Sequence, residues 1–136
     1  MTGEAVAIVH KLTKRFAPDA PPALDAISFS IKRGQVTGVA GPDGAGKTTL
    51  MRLMAGLLVP TDGSLTVCGY DTIKDSIGLH HAIGYMPQRF GLYDDLTVRE
   101  HLELVSVAHV VGGSELPERI DALLERLGLG HRTEFR

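Results

Sequence analysis

The sequence predicts an α/β fold, and two observations lead to this prediction. Short runs typical of strands, with alternating or continuous apolar residues, occupy most of the first two-thirds of the chain. Apolar residues spaced three and four apart, typical of amphipathic helices, occur after a glycine-rich loop and again in the last third. A chain of 136 residues is expected to form one domain with its own core.

The first three elements are predicted to be strands. Residues 5–16 and 23–34 are both strand-like, and alternation is clearest where the second contains AISFSI. The connection between them, residues 17–23, contains three prolines and cannot lie inside a sheet. Residues 35–41, QVTGVAG, form a largely apolar run, which predicts a third strand buried in a parallel sheet.

A helix is predicted next, followed by two further strands. Residues 47–58, KTTLMRLMAGLL, place leucine and methionine at helical spacing. Residues 59–71 are predicted to form a turn, a strand and a turn, because proline and glycine interrupt them. Residues 80–88, HHAIGYMPQ, predict another strand that ends at Pro87.

The last third predicts two helices. In residues 96–111, Thr97 and Glu100 have the spacing of a capping box, which marks a helix start. Residues 116–130 predict a second helix, with Pro117 in its first turn and glycines near its end.

Composition and charge count against several classes of function. The net charge of −2 and the pI near 6.3 give no electrostatic case for nucleic-acid binding, so no nucleic-acid partner is expected. The single cysteine, Cys68, cannot form an internal disulfide and fits a reducing compartment. The longest apolar tracts are too short to span a bilayer, and a soluble chain is expected.

The stretch GPDGAGKTTL, residues 41–50, has the pattern of a loop that binds an anion. It fits the pattern G-x-x-x-x-G-K-[ST], in which glycines let successive backbone N–H groups point inward around an anion. The positive end of the helix dipole adds to this attraction. Lys47 is expected to reach the β- and γ-phosphates of a nucleotide, and the Thr48 hydroxyl to bind Mg²⁺.

Residues 41–49 are therefore predicted to bind the phosphates of a nucleotide with Mg²⁺, and we call them the phosphate loop. The motif alone leaves kinases, GTPases and other ATPases open. The alternative is a glycine-rich turn that binds nothing, but the order strand, loop and helix favours nucleotide binding. The predicted contacts are Gly41, Pro42, Asp43, Gly44, Ala45, Gly46, Lys47, Thr48 and Thr49. The Asp43 side chain is expected to point away from the phosphates.

Three motifs in register resemble the ATP-binding subunit of ABC transporters, and most closely the ATPases of drug-exporter and ABC-2-type systems. They are KLTKRF, then the segment from ALDAISFSIKRG through the phosphate loop to LTVCGYD, then IGYMPQRFGLYDDLTVREHLEL. The resemblance covers nearly the whole chain. It implies a P-loop NTPase core with an antiparallel β subdomain at the N-terminus and the start of an α-helical subdomain at the C-terminus.

The same resemblance assigns roles to residues outside the phosphate loop. Phe16 falls where the family places an aromatic that stacks on adenine; the alternative is a core residue of its strand. Gln88 falls at the Q-loop glutamine, which helps to bind Mg²⁺ and orients the attacking water, so it joins Lys47 as a predicted catalytic residue. Residues 89–96 fall where the family contacts its membrane permease. The alternative for these residues is a loop whose aromatics pack on its own helices.

Later motifs of the family are missing from this sequence. It contains no L-S-G-G-Q signature, no strand ending in Asp-Glu and no switch histidine after a strand. Residues 110–116, VVGGSEL, lie too close behind Gln88 to be the signature and predict an interhelical turn. The resemblance thus implies one incomplete domain over residues 1–136, truncated before the signature motif. Residues 1–95 would be the nucleotide-binding core and 96–136 the start of the helical subdomain.

The implied function is that of the ATPase that powers export through a membrane permease. The resemblance implies a dimer of ATPase domains in the full-length protein, located in the cytoplasm and peripheral on the inner face of the membrane. This chain itself is expected to bind nucleotide with little or no hydrolysis. Two alternatives stay open, namely a soluble relative acting on ribosomes or DNA and a nucleotide-binding module without turnover. The transported substrate cannot be predicted.

Overall fold

The computed structural model describes residues 4–88, 91–108 and 113–133. The chain forms two compact units, Met1–Tyr85 and Met86–Arg136. The proposed division at residue 95 into a nucleotide-binding core and a helical subdomain stays a prediction.

The first unit combines an antiparallel sheet with two helices. Its four strands lie in the order β2-β1-β3-β4, and every neighbouring pair is antiparallel. The strands predicted within residues 5–16, 23–34 and 59–71 are therefore present, as is the helix after the phosphate loop. The elements are β1 (Ala5–Lys14), β2 (Leu24–Lys32), α1 (Lys47–Met54), β3 (Asp62–Val67), β4 (Tyr70–Asp71) and α2 (Ser76–Ala82).

A bulge in β1 keeps its apolar residues on one face of the sheet. Ala7 and Val9 are buried, and simple alternation would next bury residue 11. Between Val9 and Leu12, however, β1 advances three residues while β2 advances two, and Lys11 has a positive φ of 45°. The extra residue turns Leu12 inward, and its side chain is fully buried.

The core of the first unit lies between the sheet and the two helices. Leucines of α1 and α2 join apolar side chains of β1, β2 and β3 in one cluster. Each fully buried leucine stabilises the fold by roughly 1.5–3 kcal/mol. The buried members are Ala7, Val9, Leu12, Leu24, Leu50, Leu53, Leu65, Val67 and Leu79.

Two predicted strands are wrong. Residues 35–41 are irregular, and Val36 and Val39 are 104% and 43% exposed instead of buried. Residues 80–82 complete α2, and residues 83–88 are irregular. A strand needs hydrogen bonds from a neighbouring backbone, and no described segment pairs with either stretch.

The turn after β4 is built around Asp71. Its carboxylate accepts backbone hydrogen bonds from Lys74 at 3.0 Å and from Ile73 at 2.9 Å. These two bonds favour the charged form, and they lower the pKa of Asp71 below its usual value of 3.8.

The second unit contains α3 (Val98–Ala108), α4 (Leu116–Arg126) and a 3₁₀ turn at Gly130–Arg132. The predicted capping box at the start of α3 is confirmed. The Glu100 carboxylate accepts the Thr97 N–H at 2.8 Å, and the Thr97 hydroxyl accepts the Glu100 N–H at 3.3 Å. Arg99 and Asp121 form an ion pair between the two helices. The predicted interhelical turn at residues 110–116 lies partly outside the described residues.

Helix α4 ends as its sequence predicts. Gly128 has φ of 69°, and its N–H donates to the backbone carbonyl of Glu125 at 2.9 Å. The next N–H, from Leu129, donates to the backbone carbonyl of Leu124 at 2.8 Å. This pair of bonds is a Schellman motif, which satisfies carbonyls that the helix end would otherwise leave without partners.

Candidate nucleotide-binding site

The phosphate loop turns directly into helix α1. Gly44 and Gly46 have φ of 80° and 85°, and the Ala45 N–H closes a turn on the Pro42 carbonyl at 3.2 Å. The first helical hydrogen bond runs from the Leu50 N–H to the Gly46 carbonyl at 2.9 Å. The helix start has no side-chain cap and no acidic residue in its first turn. Its leading N–H groups therefore remain suited to an anion.

The Lys47 ammonium lies against this loop. It donates hydrogen bonds to the carbonyls of Gly41 and Pro42, both at 2.7 Å. Among the described residues no carboxylate forms an ion pair with it. Its positive charge is thus held at the loop without being neutralised there, which suits the binding of phosphate oxygens.

Gly46 fixes the loop against strand β2. A Cβ atom at this position would lie 2.3 Å from the Ala23 carbonyl oxygen and 2.8 Å from Leu24 Cδ2. The Ala23 N–H in turn donates to the Lys14 carbonyl at 2.8 Å. The end of β1, the start of β2 and the phosphate loop therefore meet at Ala23.

Phe16 follows the end of β1, two residues beyond Lys14. Its side chain is 65% exposed, so the alternative that it is a core residue of its strand is wrong. The Lys14 Nζ atom lies 5.4 Å from the centroid of the ring, within the range of a cation–π interaction. The carbonyl of Lys14, two residues before Phe16, accepts the Ala23 N–H, and Ala23 lies against Gly46 of the phosphate loop.

Thr61 holds the end of β1 by hydrogen bonds, a role that no sequence pattern predicted. Its hydroxyl accepts the Arg15 N–H at 2.9 Å, and its own N–H donates to the Thr13 carbonyl at 2.8 Å. Lys14 donates to the Val59 carbonyl at 2.8 Å. The segment after α1 thus holds the backbone that carries Phe16, through contacts that no local motif encodes.

The predicted metal ligand Thr48 lies at the head of α1 and is exposed, as is Asp43 in the loop. No group of three or more His, Cys, Asp or Glu residues in the described ranges could hold a metal ion. A hydroxyl at the head of the helix fits Mg²⁺, which is usually held by one or two protein oxygens together with substrate phosphates.

Gln88 and the loop after it belong to the second unit. Gln88 is exposed and follows Pro87, which is half-buried. Leu92 and Tyr93 are each 63% exposed. The Tyr93 N–H donates to His101 of α3 at 3.0 Å, and their rings lie 5.9 Å apart. The loop thus contacts its own helix through Tyr93 while its apolar side chains stay largely open to solvent; Phe90 lies outside the described residues.

A protein-family model and the sequences of known proteins indicate the same family for this chain. Residues 24–136 match the family described as ABC transporter. The chain is 50% identical over 130 residues to the probable multidrug ABC transporter ATP-binding protein YbhF of Escherichia coli (strain K12), covering 96% of this chain and 22% of YbhF. It is 40% identical over 107 residues to the daunorubicin resistance ATP-binding protein DrrA3 of Streptomyces coeruleorubidus, covering 79% of this chain and 34% of DrrA3.

A solved structure shares the fold. The ATP-binding cassette MJ0796, seen as a dimer in a post-hydrolysis state with ADP and Pi, superposes with a TM-score of 0.76 at 27% identity. The match covers 94% of this chain and 60% of that one. This chain thus spans less than two-thirds of each of these relatives. In the part of the chain that the structure describes, no helix has the length and apolar character needed to cross a membrane.

The predicted α/β P-loop NTPase fold is therefore confirmed by the structural neighbour, and the predicted relationship by the sequence matches. The chain belongs to the ABC transporter family, and its relatives are the ATP-binding proteins of such transporters.

Proposed function

We propose that the phosphate loop binds MgATP and that this chain is the N-terminal part of an ATPase that drives export. The observation that carries the proposal is the loop itself, where two left-handed glycines lead into an uncapped helix start beside the Lys47 ammonium. An anion bound at this loop would meet backbone donors, the positive end of a helix dipole and a full positive charge.

Each proposed residue has a separate task. Lys47 would offset charge on the β- and γ-phosphates, and Thr48 would hold Mg²⁺, which would supply charge neutralisation for phosphoryl transfer. Phe16 offers an exposed ring for adenine. Gln88 is proposed as a second metal ligand and as the residue that orients the attacking water. It lies in the second unit, after Pro87.

The proposal for the whole protein draws on its relatives. YbhF and DrrA3 are described as ATP-binding proteins of a probable multidrug transporter and of daunorubicin resistance, and MJ0796 is a dimer. We propose that residues 89–96 contact a membrane permease, with Leu92 and Tyr93 as exposed apolar contacts. The protein would act as a dimer on the inner face of the membrane. Within it, residues 1–95 would form the core and residues 96–136 begin the helical subdomain.

Calorimetry with MgATP tests the proposed site. Lys47→Ala removes a charge-assisted contact, so we expect the binding free energy to weaken by about 1.5–3 kcal/mol. Lys32→Ala is the matched control, because Lys32 is an exposed lysine at the far end of β2 and its loss should leave affinity unchanged. Unchanged affinity in a folded Lys47→Ala variant would contradict the assignment.

A further inference from the structure

We propose that Lys14 is a positioning residue for adenine recognition and acts by holding the ring of Phe16. The inference rests on the proposed function, because it concerns the adenine end of the same nucleotide. Lys14 lies outside the phosphate loop, and it acts through a neighbouring side chain instead of touching the substrate.

The position of the ammonium is fixed from two sides. Lys14 Nζ lies 5.4 Å from the centroid of the Phe16 ring and 2.8 Å from the Val59 carbonyl oxygen. The Lys14 backbone is also held, because its carbonyl accepts the Ala23 N–H at 2.8 Å. A cation at this distance is attracted to the negative face of an aromatic ring. Lys14 therefore ties the ring to the segment that follows α1.

Phe16 needs such a restraint. Its ring is 65% exposed and follows the last residue of β1 by two positions, so core packing does not set its rotamer. An exposed side chain that moves freely must lose that freedom when it stacks on a base. With the ammonium on one face, the opposite face is left for a purine. The lysine thus prepares the ring for stacking before nucleotide arrives.

A direct effect of the Lys14 charge on the phosphates is the main rival explanation. In that explanation the Lys14 ammonium attracts the phosphates at long range, since the Lys14 backbone is linked through Ala23 to Gly46 of the phosphate loop. The two explanations differ in the ligand that they affect. Stacking requires a base, whereas attraction to phosphate acts equally on inorganic tripolyphosphate.

The test measures the affinities of this chain for MgATP and for magnesium tripolyphosphate by calorimetry. The main variant is Lys14→Met, which keeps the apolar stem and removes the cation. Because an exposed cation–π contact is weak, we expect MgATP affinity to fall about two- to fivefold and tripolyphosphate affinity to stay unchanged. Lys14→Arg keeps a cation and a donor and should restore the parent affinity. Lys32→Met, at the opposite end of the sheet, is the matched control and should be silent.

A double-variant comparison isolates the pathway through the ring. In a Phe16→Ala background, Lys14→Met should have no further effect on MgATP, because no ring remains to be held. Three outcomes would overturn the inference on Lys14 while leaving the proposed function in place. They are a further loss of MgATP affinity in the Phe16→Ala background, an equal loss of affinity for both ligands, and no loss of affinity for MgATP. A parent chain that binds tripolyphosphate and MgATP equally would also overturn it, since no base contact would then exist. A parent chain that binds neither ligand would overturn the proposed function and this inference together.

Discussion

Replacing Gly46 with alanine tests how the phosphate loop is held in place. Gly46 has φ of 85°, and a Cβ atom there would lie 2.3 Å from the Ala23 carbonyl oxygen. That oxygen is part of the backbone leading into β2, so it cannot swing aside as a side chain would. Gly44 offers a matched control in the same loop, since it has φ of 80° but nothing within 4 Å of an added Cβ.

The expected magnitudes follow from the positive φ that the two glycines share and from the close approach of an added Cβ that occurs only at Gly46. Both substitutions force alanine into the left-handed region, which destabilises by about 1–2 kcal/mol. Gly46→Ala also forces a backbone displacement of the kind seen on overpacking, which adds about 1–3 kcal/mol. We therefore expect roughly 2–5 kcal/mol of destabilisation for Gly46→Ala and about 1–2 kcal/mol for Gly44→Ala.

Urea unfolding followed by circular dichroism measures the difference. With m of about 1–3 kcal/mol/M, the midpoint of Gly46→Ala should lie clearly below that of Gly44→Ala at an unchanged slope. Because the displacement occurs at the head of α1, Gly46→Ala should also weaken MgATP more than Gly44→Ala does. Equal midpoints for the two variants would refute the reasoning, since they would show that the contact with Ala23 does not constrain the loop.

Three further predictions concern the other parts of the molecule. In the full-length protein, changing Leu92 and Tyr93 together to Ser should uncouple ATPase activity from transport without altering MgATP affinity; a variant that still transports normally would favour a loop packed on its own helix. The Asp71 carboxyl should titrate below pH 3.8 by NMR. Its turn should be stabilised above that pH and lose this contribution as pH falls through the lowered pKa, whereas Asp71→Asn should remove this dependence. The 136-residue chain should bind MgATP but release phosphate roughly 10²–10⁴-fold more slowly than an intact ATPase, because its sequence contains no strand ending in Asp-Glu, where the resemblance implies the general base. Faster release that Lys47→Ala abolishes would contradict this expectation.

Local sequence patterns were sufficient to predict the features that depend only on residues close together in the sequence. The phosphate loop combines two left-handed glycines with a helix start, and both follow from residue types at fixed spacing. The capping box of Thr97 and Glu100 likewise involves hydrogen bonds within a segment of four residues. The end of α4 follows from helical spacing and glycine, whereas α1 ends at Met54 and not at the predicted residue 58. These elements form because their hydrogen bonds close within one turn of the chain.

Features that depend on distant segments were decided only by the tertiary structure. The apolar run at residues 35–41 satisfies a strand pattern, but no described segment supplies the backbone partners that a strand requires. The bulge at Lys11 shifts the alternation of β1 because β2 and β3 pair with it in their own registers. Thr61 forms hydrogen bonds with residues 13 and 15, although it lies more than forty positions later in the sequence. The chemistry of the loop is therefore local, whereas the backbone that carries Phe16 is held by long-range hydrogen bonds that no short pattern contains.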